Sequence, residues 1–505
     1  MKTLPRLTSA LALALVASAA RAEAPPEAVE ARSAALDARI GALFTPGAGL
    51  TASEVAARAA ATSFDVQARH AELEAANAAV DQAIVGYLPK LSVTGRYLRL
   101  SEIDGLSLNL AAAPSATPGK TIATGTPLVA VPFVINFYPN QTVLHANLTV
   151  PVSDYVLRLS QAHAAASRSA KAAELNERAA QLKAGLDGKL AYYGWVRARL
   201  QAFVARQALD QSRDHLADVR HAFEVGANSK ADVLRVEAQV ASSELLLQRA
   251  EGLGRTSEES VRIAMHEPGP PRAYALGEDV RAPLPALGTP RDLAKLYAEA
   301  LEKRLEIRAL DETAWSLKEQ GRVARATAYP RFDLIGQVSY DNPEQRVFPP
   351  TQTFTGGWAV GGQVTWTLND IGVGVTQGKQ VDAHRAQVEA EKNQLLDGLR
   401  NEVSQAEQAV EDAEVAVQTG ARGLAAAEES YRVRRSLFQN GRAISVELSD
   451  AETELTRASL DLVNARVELR VARARLLHAV GRDAVEVAVA KPGVSLVTPA
   501  ATASR

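Results

Sequence analysis

The chain says nearly the same thing twice. Phe223-Glu-Val-Gly226-Ala-Asn-Ser-Lys-Ala-Asp232 returns 215 positions later as Phe438-Gln-Asn-Gly441-Arg-Ala-Ile-Ser-Val-Glu447. Val150-Pro-Val-Ser-Asp154 returns as Trp366-Thr-Leu-Asn-Asp370, an offset of 216, and Pro89 of Tyr87-Leu-Pro89 returns as Pro330, an offset of 241. A duplication of this kind means one supersecondary module used twice around a shared axis. Because the offset drops from 241 to 216 across one segment, the first copy carries about 25 extra residues there, within 106–140.

The proline map shows what the module is made of. No proline falls between Pro46 and Pro89, Pro151 and Pro268, Pro290 and Pro330, or Pro350 and Pro492. Long proline-free intervals rich in Ala, Glu, Arg and Leu predict helix, since proline in a helix interior costs about 3 kcal/mol. At the N-terminus, Lys2 and Arg6 precede an apolar run and Ala20-Arg21-Ala22, the pattern of a secretory signal peptide cut after Ala22. That run is too short to span about 30 Å of hydrocarbon, and no other apolar stretch approaches the length of a transmembrane helix. With no cysteine, the chain has no disulfide framework, thiolate metal site, Cys nucleophile or lipid-bearing N-terminal Cys. A formal charge of −2 provides no general attraction to nucleic acid. An exported chain without a membrane helix has three destinations: secreted, periplasmic, or inserted as a β-barrel.

Four segments alternate with period two. Trp358, Val360, Gly362, Val364, Trp366 and Leu368 share one face, opposite Gln363, Thr365 and Thr367. Phe332, Leu334, Gly336, Val338 and Tyr340 oppose Asp333, Gln337 and Ser339; Leu144, Ala146, Leu148 and Val150 oppose His145, Asn147 and Thr149. Leu91, Val93 and Tyr97 oppose Ser92, Thr94 and Arg96. Such segments fit outer-membrane barrel strands, and a soluble half-buried sheet alternates in the same way. Thirteen of the 25 aromatics lie in 87–155 and 329–366, which suits the membrane–water interface. Four strands cannot close a barrel, and lipid does not tolerate open edges. One chain therefore cannot make a pore; three would supply twelve strands, an even number within the known range.

Each strand pair is followed by an uninterrupted helical stretch, about 155–223 and about 371–438, on the order of 100 Å long. Each turns at a glycine, Gly226 or Gly441, and returns as a second helix to about 265 and about 480. Leu396, Val403, Val410, Val417, Leu424, Tyr431 and Phe438 keep a spacing of seven, with Leu399, Ala406, Ala413, Gly420 and Ala427 as companion seam. On the return helix Leu448, Leu455, Leu462, Leu469 and Leu476 pair with Ala451, Ala458, Ala465, Ala472 and Ala479. A heptad held this long demands knobs-into-holes supercoiling.

From about residue 50 to about 480 the chain resembles the TolC-type outer-membrane efflux protein family. The likeness rests on the doubled strand–helix–hairpin order, the Tyr-Leu-Pro89 and Tyr-Pro330 starts of strands, the Asp154 and Asp370 exits, and the two Phe-x-x-Gly hairpin tips. It implies a mainly α fold with a β-barrel portion: a homotrimer whose twelve-stranded barrel sits in outer-membrane lipid and continues as a long periplasmic α-helical barrel. It further implies an exit duct, without cofactor, for an inner-membrane pump or secretion ATPase joined through a periplasmic membrane-fusion (adaptor) protein. The domains expected are a signal peptide (1–22), a linker (23–49), a first repeat (50–266), a Pro-rich linker (267–290), a second repeat (291–480) and a tail (481–505). Within the repeats, strands are expected at about 91–100, 143–152, 332–340 and 358–368. Two places depart from the family or lie beyond its analogy. Arg304-Leu305-Glu306 stands where Arg-Pro and an acidic residue are frequent, and the 106–140 segment forms either an extracellular cap or extended strands.

In the family the hairpin tips close the periplasmic entrance and meet the adaptor, which points to Gly226, Asn228, Gly441 and Ile444. Glu447 and Asp450 are three apart, hence on one helical face, and align with the family's entrance carboxylates. Under threefold symmetry they would form a six-carboxylate ring favouring cations; acids in a first helical turn also simply complement the helix dipole. Asp232 and Arg442 hold matching tip positions with opposite charge and are candidates for a latch that holds the entrance shut. Metal and catalytic sites find no support. The eight histidines show no ligand spacing, and those on helices are expected to be solvated. Gly372-Val-Gly374-Val-Thr-Gln-Gly378 lacks dinucleotide spacing and reads as a swivel between strand and helix. The rival readings are a periplasmic coiled-coil scaffold or adaptor and a stand-alone surface porin or adhesin.

Overall fold

In a computed structural model of the chain, the described residues are 38–45, 47–102, 104–113, 121, 123–135, 137–267, 273–285 and 292–483. The expected signal peptide, much of the 23–49 linker, Pro268, Pro270, Pro271, Pro290 and the tail from 484 lie outside them. The elements run α1 (Ala52–Thr62), α2 (Phe64–Val85), β1 (Lys90–Arg99), β2 (Leu106–Ala112), β3 (Val129–Ile135) and β4 (Asn140–Val150). One helical turn (Val152–Asp154) and a π-turn (Tyr155–Leu159) lead into α3 (Ser160–Glu224), then α4 (Lys230–Ala264). The second repeat follows as α5 (Leu293–Lys303), α6 (Leu305–Ala326), β5 (Arg331–Asn342), β6 (Thr355–Thr365), α7 (Leu368–Gln439) and α8 (Ser445–Ala479). The chain divides into two compact units.

One unit, His70–Asn176 with Glu306–Gln394, holds all the strands. Its main sheet has the order β1-β4-β5-β6, every neighbour antiparallel, so each repeat contributes one hairpin. The extra residues of the first repeat form a second antiparallel ribbon, β2–β3, with Leu106 opposite Ile135 and Ala112 opposite Val129. Of the two forms expected for 106–140, this is the extended one. The alternation read as far as Leu368 stops at Thr365, because Thr367-Leu-Asn-Asp370 opens α7: the Asp370 amide already donates to the Thr367 carbonyl at 3.0 Å. At the foot of the sheet the repeated exit residue Asp154 is 9% exposed, with Arg158 at 3.7 Å and Arg331 at 3.5 Å.

The other unit takes in the chain up to Arg69, Glu177–Leu305 and the chain from Leu395. It is helical, and its core is the heptad seam read from the sequence: Val403, Val410, Leu424 and Leu462 are fully buried, as are Ala472 and Ala479. Trp195, Tyr192 and Val196 of α3 pack with Val467 and Val463 of α8 and with Leu276 and Val280 of the mid-chain connection. That connection is clamped by polar groups. Glu278 accepts from the Tyr193 hydroxyl at 3.0 Å and from Arg470 Nη1 at 2.7 Å, while Arg470 also donates to the Asp279 and Ala282 carbonyls. Burial, with Glu278 beside the ring, pushes the Tyr193 hydroxyl well above its ordinary range. Small residues let helices touch: a Cβ on Gly188 would lie 2.9 Å from Ala59 Cβ and 3.1 Å from the Val55 carbonyl. At the departure noted in the sequence, α5 ends at Arg304, whose backbone is extended and whose guanidinium bonds Glu402 and the carbonyls of His478 and Ala479. Arg304 thus stands extended between α5 and α6 while its guanidinium caps the last carbonyls of α8.

Candidate functional site

Register and alternation together give the sheet two unlike faces. In register, Val93, Ala146, Val338 and Trp358 form one row of a face that also carries Leu91, Leu148, Val360 and Val364. The opposite face carries rows such as Thr94, His145, Ser339 and Gly357. On the apolar face Val93 and Trp358 are each 75% exposed in the single chain. Each such side chain held in water forgoes on the order of 1.5–3 kcal/mol, so the face calls for an apolar medium. The polar face is bonded within itself, with His145 Nε2 3.1 Å from Asp341 Oδ2 and Gln337 Nε2 3.3 Å from His145 Nδ1.

Aromatic rings mark both ends of the strands. Tyr340 stacks on Phe354 at 5.0 Å, and Tyr97 bonds Asn140 at the same end. At the helix end Tyr87 stacks on Tyr155, and the Trp366 indole donates to the Ala328 carbonyl. Ten residues rise about 33 Å along a strand, and the usual tilt of membrane barrels reduces this to an apolar band of about 25 Å. Among the described residues, no strand lies beside the outer edges of β1 and β6. A two-faced sheet with bands of aromatics and two open edges is a segment of a barrel wall.

The two hairpin tips share one geometry. Gly226 (φ +79°) and Gly441 (φ +67°) occupy the left-handed region that favours glycine. In each the following amide reaches back five residues, Ala227 to the Ala222 carbonyl and Arg442 to the Leu437 carbonyl, both at 2.8 Å. They differ at the next helix start. Ser229 and Asp232 form a reciprocal capping box on α4, whereas Ile444, at the N-cap of α8, makes no side-chain cap. Ile444 is exposed, and Asn228 Nδ2 is buried without a hydrogen-bond partner.

Among the candidate residues, Glu447 lies in the first turn of α8 and pairs across the hairpin with Arg434 at 2.8 Å. Asp450 is exposed one turn on. Asp232 bonds Ser229 and has Arg235 at 3.7 Å; the serine hydroxyl and amide, then the arginine, hold its carboxyl below the usual range. Arg442 is exposed at its tip. Among the described residues these bonds tie Asp232 to its own helix and Glu447 to its own hairpin.

The sequence reading missed one cluster. His215 was expected to be a solvated helical histidine, yet its side chain is only 1% exposed. Its Nδ1 lies 3.1 Å from Glu452 Oε2 and its Nε2 3.2 Å from Ser445 Oγ, with the Phe438 ring edge-on at 5.4 Å. The triplet ties α3 to the first two turns of α8, beside the tip that carries Glu447 and Asp450. A partial signal was present: Leu209, Leu216 and Phe223 keep a spacing of seven on α3, with His215 next to Leu216.

The family model described as outer membrane efflux protein matches residues 55–265 and 296–482, one stretch in each repeat. None of the curated proteins matches the chain in sequence. Among solved structures, the outer-membrane channel OprN is similar at 17% identity and a TM-score of 0.66, over 87% of this chain and 94% of that one. The CmeC outer membrane channel of Campylobacter jejuni is similar at 15% identity and a TM-score of 0.67, over 86% and 89%. The outer membrane protein VceC of Vibrio cholerae is similar at 18% identity and a TM-score of 0.65, over 85% and 96%. With both repeats matched and the fold shared along most of its length, the chain belongs to the outer membrane efflux protein family and resides in the outer membrane.

Proposed function

We propose that three copies of this chain form a passive exit duct, the outer-membrane channel of a tripartite efflux pump or a type I secretion system. The observation that carries this is the four-stranded sheet with one apolar face, one polar face and two open edges. In lipid every backbone polar group is paired, so the edge of β1 meets β6 of the next copy and twelve strands close the cylinder. The polar face then lines the pore and the helical hairpins extend into the periplasm. In this duct the first repeat (50–266) and the second (291–480) are joined by the Pro-rich linker (267–290).

At the periplasmic end, Glu447 and Asp450 of three copies form the entrance carboxylate ring. Gly226, Asn228, Gly441 and Ile444 present the tips to a membrane-fusion (adaptor) protein that joins the duct to an inner-membrane pump or secretion ATPase. Asp232 and Arg442 act as latch between neighbouring copies, Asp232 doing so from its capped position. Extraction from outer membranes should yield a heat-modifiable trimer that conducts in planar bilayers. Neutralising Asp232 and Arg442 together should raise that conductance. A mature polypeptide that is monomeric and water-soluble without detergent overturns the duct; unchanged conductance removes the latch alone.

A further inference from the structure

The β5–β6 loop does not run straight outward from the sheet. Gly357 lies on the polar face, since Trp358, Val360, Gly362 and Val364 take the other. A Cβ built on Gly357 would lie 1.7 Å from Arg346 Nη2, so the end of the guanidinium occupies the space over that glycine. Ser339, opposite Gly357 in register, is only 8% exposed and accepts from Arg346 Nη2 at 3.3 Å. Glu344, 6% exposed, holds the other side of the guanidinium, accepting from Arg346 Nε at 2.8 Å. On the apolar side Phe354 stacks on Tyr340. The loop is therefore fixed on both faces, with its aromatic outside and its charged pair inside.

We propose that this loop is an inward-folded constriction at the outer end of the pore, with Arg346 as its hook and Gly357 as its seat. The proposal rests on the reading that the polar face lines a pore. Any side chain at Gly357 occupies the space of the guanidinium and lifts the hook. Because each guanidinium is matched by the Glu344 carboxylate, the constriction selects by cross-section rather than by the sign of cargo charge. Three copies place three such hooks around one opening.

The chain has no cysteine, so Gln363→Cys supplies a single thiol on the polar face, six residues beyond Gly357 toward the helices. Intact cells carrying Gln363→Cys alone, or with Arg346→Ala or Gly357→Val, are treated from outside with a small charged maleimide or a bulky polyethylene-glycol maleimide. The small reagent should label all three at similar rates. The bulky one should label both hook variants severalfold faster than the parent, because pore diameter sets which solutes pass. Glu344→Gln, which keeps the guanidinium but loosens it, should fall between. Equal bulky-reagent rates in all variants, with small-reagent labelling intact, overturn the constriction while leaving the pore standing. If the small reagent labels none of them, the pore reading itself fails.

Discussion

Replacing His215 with leucine tests whether a buried polar triplet positions the entrance helix. The change leaves the Glu452 carboxylate, 4% exposed, without its imidazole partner and removes the acceptor or donor facing Ser445 Oγ. Leaving a buried carboxylate without its hydrogen-bond partner costs about 3 kcal/mol, the upper end for a lost partner, and the serine bond adds about 1 kcal/mol. Leucine recovers part of this against Phe438, which gives a net loss of about 3 kcal/mol. That loss falls on the first turns of α8, which the triplet ties to α3. At 1.4 kcal/mol per factor of ten, hydrogen-exchange protection of amides 446–452 in the detergent-solubilised protein should drop by about two orders of magnitude. Adding Glu452→Leu should restore most of it, because an apolar pair of similar volume carries no desolvation penalty. Protection unchanged in the single variant, or a double variant no better than the single one, would refute the argument.

Other expectations follow from geometry already described. Arg482 and Lys303 hold the Glu299 carboxyl down at about 2, against an ordinary 4.5. A depressed folded value means that the ion pair stabilises fully above about 4.5 and is lost as pH falls toward 2, so Glu299→Gln should flatten the acid limb of a denaturation series. Gly188→Leu should lower the thermal midpoint through overpacking against Ala59 and Val55, at about 1–3 kcal/mol, whereas a leucine at Gly194, which has open space beside it, should not. Gly441→Val should cost about 1–2 kcal/mol by forcing a β-branched residue to positive φ, readable as faster proteolysis at the second tip.

Periodicity made most of the fold legible. Strict spacing of two placed the four strands of the main sheet, and spacing of seven placed the α7–α8 seam, because each is a direct projection of which face is buried. The β2–β3 ribbon was not decidable: its second strand, Val-Ala-Val-Pro-Phe-Val-Ile, is apolar at nearly every position and alternates only weakly. The break at Arg304 was visible as a departure but not as a mechanism, since its acceptors come from Glu402, His478 and Ala479, far away in sequence. His215 and Glu452 escaped for the same reason. A histidine 237 positions from its carboxylate carries no local signature. The Arg346 hook was hidden because its seat is a glycine, which reads as ordinary in a strand with several others.

The unequal starts of α4 and α8 make the paired tips mechanically unlike. Ser229 and Asp232 give α4 a side-chain cap that Ile444 does not give α8, a difference of about 1 kcal/mol in the cost of unwinding a turn. The first tip is held by its own cap and the second by His215 of α3 through Ser445 and Glu452, so the duplicated module has become one self-secured end and one secured by its neighbour.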